Sequence, residues 1–129
     1  MPRAVGVFAV GRVINPRLAR SQFLGGMTMG LGMALMEEGV VDHNFGDTMN
    51  DDLAGYHIPA NADIGELDVS WLDEHDDQLT PMGGKGIGEI GIVGTAAAVT
   101  NAVFDATGVR IRDLPVRLDK LTDWLDSSS

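Results

Sequence analysis

Apolar and polar residues follow two different periods along the chain, and these periods predict its secondary structure. Residues 4–14 (AVGVFAVGRVI) are apolar and β-branched with little alternation, which predicts a strand buried on both faces. Residues 66–72 (ELDVSWL) alternate strictly, which predicts a half-exposed strand whose Leu67, Val69 and Trp71 face inward. The pattern thus indicates two strands of different burial that lie far apart in the sequence.

A long apolar helix is predicted directly after the first strand. Asn15 supplies an N-cap and Pro16 the first helical position, so the helix is expected over 16–38. Gly26 and Gly30, four positions apart, would let another backbone approach closely. The apolar residues fall in two stripes, Phe23, Met27, Leu31 and Ala34 on one face and Gly25, Met29, Gly32 and Met36 on another. A helix that is apolar nearly all round is expected to be buried on most sides.

A second helix is predicted after a glycine-rich segment and is ended by Gly108. Its inward positions recur every three or four residues: Ile92, Ala96, Val99, Val103 and Ala106. Weaker patterns predict short strands at 39–42 and 109–112, a last helix at 118–125 and a polar tail at 126–129. The order β-α-β-β-α-β-α indicates an α+β fold, with two buried glycine-rich helices packed on a small mixed sheet. We treat residues 1–129 as one domain.

Charge and composition narrow the classes of function. The net charge is −10, and residues 37–77 contain thirteen Asp or Glu and no Lys or Arg. This acidic face is explained by solvation or by adaptation to high salt, and it would repel nucleic acid and anionic membranes. The chain has no cysteine, so it holds no disulfide and no iron–sulfur cluster. The apolar run at 23–36 has fourteen residues, too few to span a bilayer.

The segment GGKGIGEIGIVG, residues 83–94, contains six glycines. Positions 86–91 match the G-x-G-x-x-G dinucleotide pattern, but the residues before them do not form the strand that this pattern requires. A phosphate-binding P-loop also fails, because Leu79 stands where its first glycine should be and Gly86 follows Lys85 in place of Ser or Thr. Neither phosphate-binding interpretation is retained.

Two polar residues remain as candidate functional groups. Glu89 lies between glycines at a predicted helix start, where the helix N-terminus favours its charge and the apolar neighbours disfavour it. It is either a general base or a capping residue. Gln22, just before Gly25 and Gly26, either hydrogen-bonds near the helix end or contacts a polar ligand. His43, His57 and His75 have no metal-ligand spacing, so no metal-ligating residue is assigned.

Three stretches resemble one known family. They are GRVINPRLARSQFLGGMTMGLGMALMEE, YHIPANADI and GGKGIGEIGIVGTAAAVTNAVFDATGVRIRDLP. Together they are similar to the C-terminal part of the large, molybdenum-cofactor-binding subunit of the xanthine dehydrogenase/aldehyde oxidase family. The similarity runs from about residue 5 to residue 121, with the motifs in the family order.

This resemblance implies a molybdopterin-dependent oxidoreductase that oxidises aldehydes or N-heterocycles such as xanthine with water-derived oxygen. Glu89, in the catalytic glycine-rich loop 83–91, would be the general base beside molybdenum. Gln22 would hydrogen-bond the pterin, and the backbone of Gly86, Ile87 and Gly88 would approach the metal site. The cofactor would be molybdopterin, for which the cytosine dinucleotide form is an option.

The resemblance also implies partners and a location. Iron–sulfur clusters and FAD would reside on other domains or subunits, and the upstream part of the molybdenum-binding subunit would be needed for cofactor binding. Family members are several times longer, so the chain is interpreted as a C-terminal fragment that is inactive in isolation. An alternative is a non-catalytic assembly module or an inactive remnant. The cytoplasm is expected, or the periplasm if a partner subunit carries an export signal.

Overall fold

A computed structural model describes residues 3–127 and has an α+β fold, as predicted. Its elements in chain order are strand β1 (Arg3–Phe8), helix α1 (Pro16–Leu35), strands β2 (Val41–Asp42), β3 (Asp47–Thr48) and β4 (Glu66–Trp71), helices α2 (Ile90–Val93) and α3 (Thr95–Thr107), a 3-10 turn (Leu118–Leu121) and helix α4 (Thr122–Ser127). Part of the predicted polar tail, residues 128–129, lies outside the described range.

The single mixed sheet that we predicted is in fact two separate ribbons. β1 pairs in parallel with β4, from Arg3 opposite Glu66 to Phe8 opposite Trp71, and β2 pairs antiparallel with β3. The strand expected at 109–112 does not form, because a β-branched segment needs a neighbouring strand edge and none of the described strands pairs with it. Ile111 is nevertheless buried, so the segment packs as irregular chain.

β1 differs from its prediction in length and in burial. It ends at Phe8, and its exposure alternates, with Val5 and Val7 each 59% exposed. Only one face of the strand lies on the described core, where the ring of Phe8 stacks on that of Phe23 at 4.4 Å. The sequence of β1 is therefore typical of a strand buried on both faces, but in the structure one face of β1 is uncovered. β4 behaves as predicted, with Leu67, Val69 and Trp71 packed against the core.

Helix α1 begins as predicted. The Asn15 side chain accepts a hydrogen bond from the Leu18 amide at 3.1 Å, and Pro16 is the first residue of the helix. The stripe of Phe23, Met27, Leu31 and Ala34 is buried. The second stripe was wrong in part, because Gly25 and Met29 are exposed.

Gly26 and Gly30 bring α1 against α2 and α3, which confirms the predicted close approach. A methyl group on Gly26 would lie 2.9 Å from the Cα of Gly91, and one on Gly30 would lie 2.5 Å from the Cβ of Thr95. The Thr95 hydroxyl is satisfied within this interface, donating to the Gly91 carbonyl at 2.8 Å. The glycines thus remove the side chains that would hold the helices apart.

The predicted second helix is broken at Gly94 into a single turn, α2, and the longer α3. Gly108 ends α3 in the left-handed conformation (φ 74°), as predicted. Val99 is buried but Ala106 is exposed, so this helix is less buried than expected. By length and apolar composition alone, Ile90–Thr107 could cross a membrane, but one such segment is weak evidence for a span.

Candidate functional site

The glycine loop, residues 83–91, is fastened to the chain that follows β1. Gly11 and Gly84 form an antiparallel bridge, the Arg12 amide donates to the Gly83 carbonyl at 2.8 Å, and the Lys85 amide donates to the Val10 carbonyl at 3.0 Å. Gly11 (φ 63°) and Gly83 (φ 70°) both have the left-handed backbone that favours glycine. A methyl group on Gly11 would also lie 2.2 Å from the Gly83 carbonyl oxygen. The first half of the loop therefore needs its glycines for folding.

Two glycines of the second half, Gly86 and Gly88, have no such explanation within residues 3–127. Gly86 and Gly88 do not have a positive φ, and a methyl group on either would meet no described atom within 4 Å. The sequence interpretation held that side chains here would block a close approach. None of residues 3–127 comes this close to Gly86 or Gly88, so the space beside these glycines is open to a group from outside residues 3–127.

Glu89 lies at the exposed end of this loop. It occupies the N-cap position of α2 but makes no side-chain capping hydrogen bond there. Ile87 and Ile90, on either side of it, pack against the core of Val10, Ala19 and Phe23, so they turn away from the carboxylate. The expected apolar surroundings of Glu89 are therefore wrong for this chain, since its carboxylate is exposed. The helix N-terminus was also expected to favour the charge of Glu89. This effect is reduced, because α2 has only four residues.

Gln22 and part of the glycine loop line the same cleft, which has a volume of about 470 Å³. Gln22 lies on α1, and Ile87 and Gly88 belong to the glycine loop. The Gln22 amide is exposed and has no hydrogen-bond partner among residues 3–127, so the helix-end bonding that we considered is not seen. Gly86 and Glu89 do not line this cleft but lie next to residues that do.

Arg12 is a cleft residue that the sequence interpretation missed. It lines the same space as Gln22 and Gly88, its side chain is exposed, and no carboxylate in the described part of the chain pairs with it. The signal was available in the sequence, because Arg12, Arg17 and Arg20 form a basic group next to the predicted start of α1. Carboxylates of the acidic segment also reach this end of the molecule, because Asp73 and Glu74 line a second cleft together with Arg12.

Lys85 also gains a role that the sequence did not indicate. Its ammonium group lies 2.7 Å from Glu74 Oε1 and 3.6 Å from Asp76 Oδ2. The hydrogen bond from Lys85 is the main reason that the pKa of Glu74 is lowered, and the bond to Glu74 is the main reason that the pKa of Lys85 is raised. The pKa of Asp76 is lowered chiefly by the amide of Gln78.

Of the three histidines, His75 lies near this region, where it lines a second cleft with Gly11 and Arg12. Within residues 3–127, no group of three or more His, Asp or Glu side chains is placed to hold a metal ion. His75 lies 2.8 Å from Asp77 in an exposed ion pair. What the cleft and the loop offer is an unpaired amide, an unpaired guanidinium, bare backbone at two glycines and one exposed carboxylate.

Comparisons with known proteins agree on the family. A family model described as molybdopterin cofactor-binding domain matches residues 1–65, which include Gln22 and Arg12. The aldehyde oxidoreductase molybdenum-binding subunit of Escherichia coli (strain K12) is 52% identical over 123 residues, which is 95% of this chain and 17% of that protein. The putative xanthine dehydrogenase molybdenum-binding subunit of the same organism is 39% identical over 92% of this chain and 16% of that protein.

Solved structures give the same result for the fold. The aldehyde oxidoreductase from Desulfovibrio gigas superposes with a TM-score of 0.81 and 30% identity, over 95% of this chain and 13% of that one. The chain thus spans about one sixth of the length of the curated relatives that it matches. On the family model, the relatives and the fold together, this chain belongs to the molybdopterin cofactor-binding domain family.

Proposed function

We propose that this chain forms the C-terminal part of the molybdenum-binding subunit of a molybdenum hydroxylase and supplies its general base, Glu89. The observation that carries the proposal is the state of the glycine loop. Gly86 and Gly88 are not required by the packing of this chain, yet they lie beside an exposed carboxylate that caps no helix. Bare backbone next to a free carboxylate suits a loop that receives a bulky ligand.

The residues of the cleft fit the molybdenum cofactor by their chemistry. A pterin presents ring nitrogens and an exocyclic amino group, and the free amide of Gln22 can both donate and accept hydrogen bonds. The cofactor also carries phosphate, for which the unpaired Arg12 guanidinium is suited. Gly88 and Ile87 would line the approach from the glycine loop. We propose Gln22, Gly86, Ile87 and Gly88 as binding residues, with Arg12 added to them.

The cofactor, when bound, would supply the redox chemistry by which the substrate gains a water-derived oxygen. The role of this chain would be to hold and move a proton. Glu89 would accept a proton from the group that provides the oxygen, and the packing of Ile87 and Ile90 into the core would fix the backbone on both sides of it. Gln22 would orient the pterin through its amide.

The substrates that we propose are aldehydes or N-heterocycles, because the relatives are named for aldehyde and xanthine oxidation. The enzyme would work with iron–sulfur and FAD subunits, since this chain has no cysteine with which to bind a cluster. We propose the cytoplasm as its location and the cytosine dinucleotide form as one option for the cofactor.

A role in assembly is the second candidate, and exposed apolar side chains favour it. Phe45 is 84% exposed and Leu53 is 97% exposed, both in the segment between α1 and β4. Side chains of this kind on a subunit commonly mark an interface. A non-catalytic module would use these surfaces without using Glu89.

Expression of this chain with and without the remaining part of the subunit tests the proposal. Molybdenum content is measured by mass spectrometry, and activity is followed by dye reduction with an aldehyde or with xanthine. We expect molybdenum and activity only in the assembled protein. A fully assembled protein that contains molybdenum but oxidises neither substrate class would favour the assembly role.

A further inference from the structure

Glu74 joins two segments that are far apart in the sequence. Its Oε1 accepts from the Lys85 ammonium at 2.7 Å, and its Oε2 accepts from the Gly11 amide at 3.1 Å. The Lys85 and Glu74 side chains are only 25% and 32% exposed, so this pair is screened less by water than a surface pair. One carboxylate therefore fastens the glycine loop to the turn that follows β1.

The glycine loop needs such a fastening because few of its residues can make side-chain contacts. Gly83, Gly84, Gly86 and Gly88 leave the backbone conformationally free, and methyl groups on the last two would touch nothing described. Ile87 packs into the core on the far side of Gly86, and Lys85 is the charged anchor on the near side. Glu89 follows Lys85 by four residues, so its position depends on both anchors.

We propose that the Lys85–Glu74 ion pair is a positioning device that holds the glycine loop, and with it Glu89, in one place. The inference rests on the proposed role of Glu89 and deepens it. Glu74 touches Lys85 and the Gly11 amide and does not line the Gln22 cleft, so it can act on the reaction only through the loop. Lys85 also lines that cleft, so Glu74→Gln is the cleaner of the two variants. The Asp76 carboxylate, 3.6 Å from the ammonium, adds a second, weaker attachment.

The test uses Lys85→Met and Glu74→Gln in the assembled enzyme. Both variants keep the shape of the side chain, and Glu74→Gln keeps an oxygen that can accept from the Gly11 amide. We expect kcat to fall by about 10- to 100-fold, because small displacements of a catalytic group have effects of that size. KM and molybdenum content of Glu74→Gln should stay within about twofold of wild type, because Glu74 does not line the Gln22 cleft and uniform binding is untouched.

Hydrogen exchange of the amides at 84–89, measured without substrate, is the second readout. It should become at least about tenfold faster in both variants, while the exchange of α1 stays unchanged. Lys85→Arg should restore slow exchange and most of the turnover, and the double variant should be no worse than the more impaired single variant. Lys120→Met is the matched control, because it removes another lysine pair, 2.5 Å from Asp113, outside the loop.

Three results would overturn the proposal: unchanged exchange in Lys85→Met, faster exchange with normal kcat, or loss of molybdenum in step with loss of turnover. The first would show that the pair does not hold the loop, and the others that it does not position Glu89. If Glu89→Gln kept full turnover while exchange still rose in Lys85→Met, the proposed function would have failed but the fastening would stand. The two failures are therefore distinguishable.

Discussion

At the scale of single residues, the glycines separate into those that the fold needs and those that it does not. Gly11 and Gly83 have left-handed backbone, and Gly26 and Gly91 sit in a helix contact that a methyl group would obstruct. Gly88 has neither property. Gly94 has equally open surroundings, so the position of Gly88 in the Gln22 cleft, and not the open space alone, is what points to contact with a ligand.

Gly88→Ala should separate binding from folding. Because the added methyl group would meet no described atom, the free energy of unfolding of the chain should change by less than about 0.5 kcal/mol. If the cofactor lies against this backbone, the molybdenum content of the assembled enzyme should fall severalfold. Both quantities can be measured on the same variant, by thermal unfolding and by mass spectrometry.

Gly94→Ala is the matched control for that substitution. A methyl group added at Gly94 would also meet open space, and this glycine lies at the junction of α2 and α3, away from the Gln22 cleft. We expect full molybdenum content in this variant. Equal molybdenum content in the two variants would contradict the binding role of Gly88.

The sequence predicted part of the candidate site at this scale. Gln22 and the glycine loop were singled out from their composition and their resemblance, and they do line one cleft or lie next to it. The Lys85–Glu74 pair was not found, because its partners are eleven residues apart in loops without periodicity. Arg12 was overlooked although its basic group was visible in the sequence, because only folding shows that it lines the same cleft as Gly88.

At the scale of elements, the packing of α1 against α2 and α3 depends on which glycines face inward. Gly25 and Gly26 are neighbours in the same helix, but a methyl group on Gly25 would meet nothing described within 4 Å, whereas one on Gly26 would press on Gly91. The pair therefore allows helix propensity and helix packing to be measured separately.

Gly25→Ala should stabilise this chain by about 0.5 to 1 kcal/mol, because alanine costs less conformational entropy in a helix. Gly26→Ala should destabilise it by about 1 to 3 kcal/mol, because the contact between helices is overpacked. Chemical denaturation followed by circular dichroism measures both. Stabilisation by both substitutions would show that the close contact of the helices is not formed.

The Lys85–Glu74 ion pair should contribute to stability only while both groups are charged. It should be lost in acid, when Glu74 is protonated, and in strong alkali, when Lys85 is deprotonated. The pKa of Glu74 is lowered from its ordinary value of 4.5, so its contribution to stability is present above pH 4.5 and is lost as pH falls through the lower pKa in the folded chain. The pKa of Lys85 is raised from 10.5, so its contribution is present below pH 10.5 and is lost as pH rises through the higher folded value.

Thermal unfolding measured as a function of pH checks the range over which the Lys85–Glu74 pair stabilises the chain. Wild type should be more stable than Glu74→Gln between about pH 5 and 10, and the two should converge as the pH falls from 4.5 through the lowered pKa of Glu74 in the folded chain. A difference that persists unchanged at pH 2 would show that the charge of Glu74 is not the cause.

The elements themselves were predicted well where the local signals were strong. The N-cap at Asn15, the alternation in β4 and the stop at Gly108 all reappear in the structure. The strand at 109–112 was wrong, because β-branched residues indicate a strand only if a partner is available. In the folded chain the segment instead buries Ile111, while Arg110 lies over the ring of Phe104 at 3.7 Å.

At the scale of the whole molecule, the arginines and the acidic segment are not separated into two regions. Arg12, Arg17 and Arg20 lie around the start of α1. Asp73 and Glu74, from the acidic segment 37–77, line a second cleft together with Arg12. A phosphate-bearing cofactor would be attracted by the arginines and repelled by the neighbouring carboxylates. The α+β class could be predicted from the order of elements, but the uncovered face of β1 could not, because its sequence is that of an interior strand.

The account depends above all on the carboxylate of Glu89, and its replacement by glutamine is the most direct measurement. Glu89→Gln in the assembled enzyme should lower kcat by about 10²- to 10⁴-fold, the usual contribution of a general base, while the molybdenum content stays that of wild type. Glu66→Gln, at an exposed glutamate that begins β4, is the control and should have normal turnover. Normal turnover in Glu89→Gln, or loss of molybdenum in proportion to activity, would contradict the claim that this residue is the base.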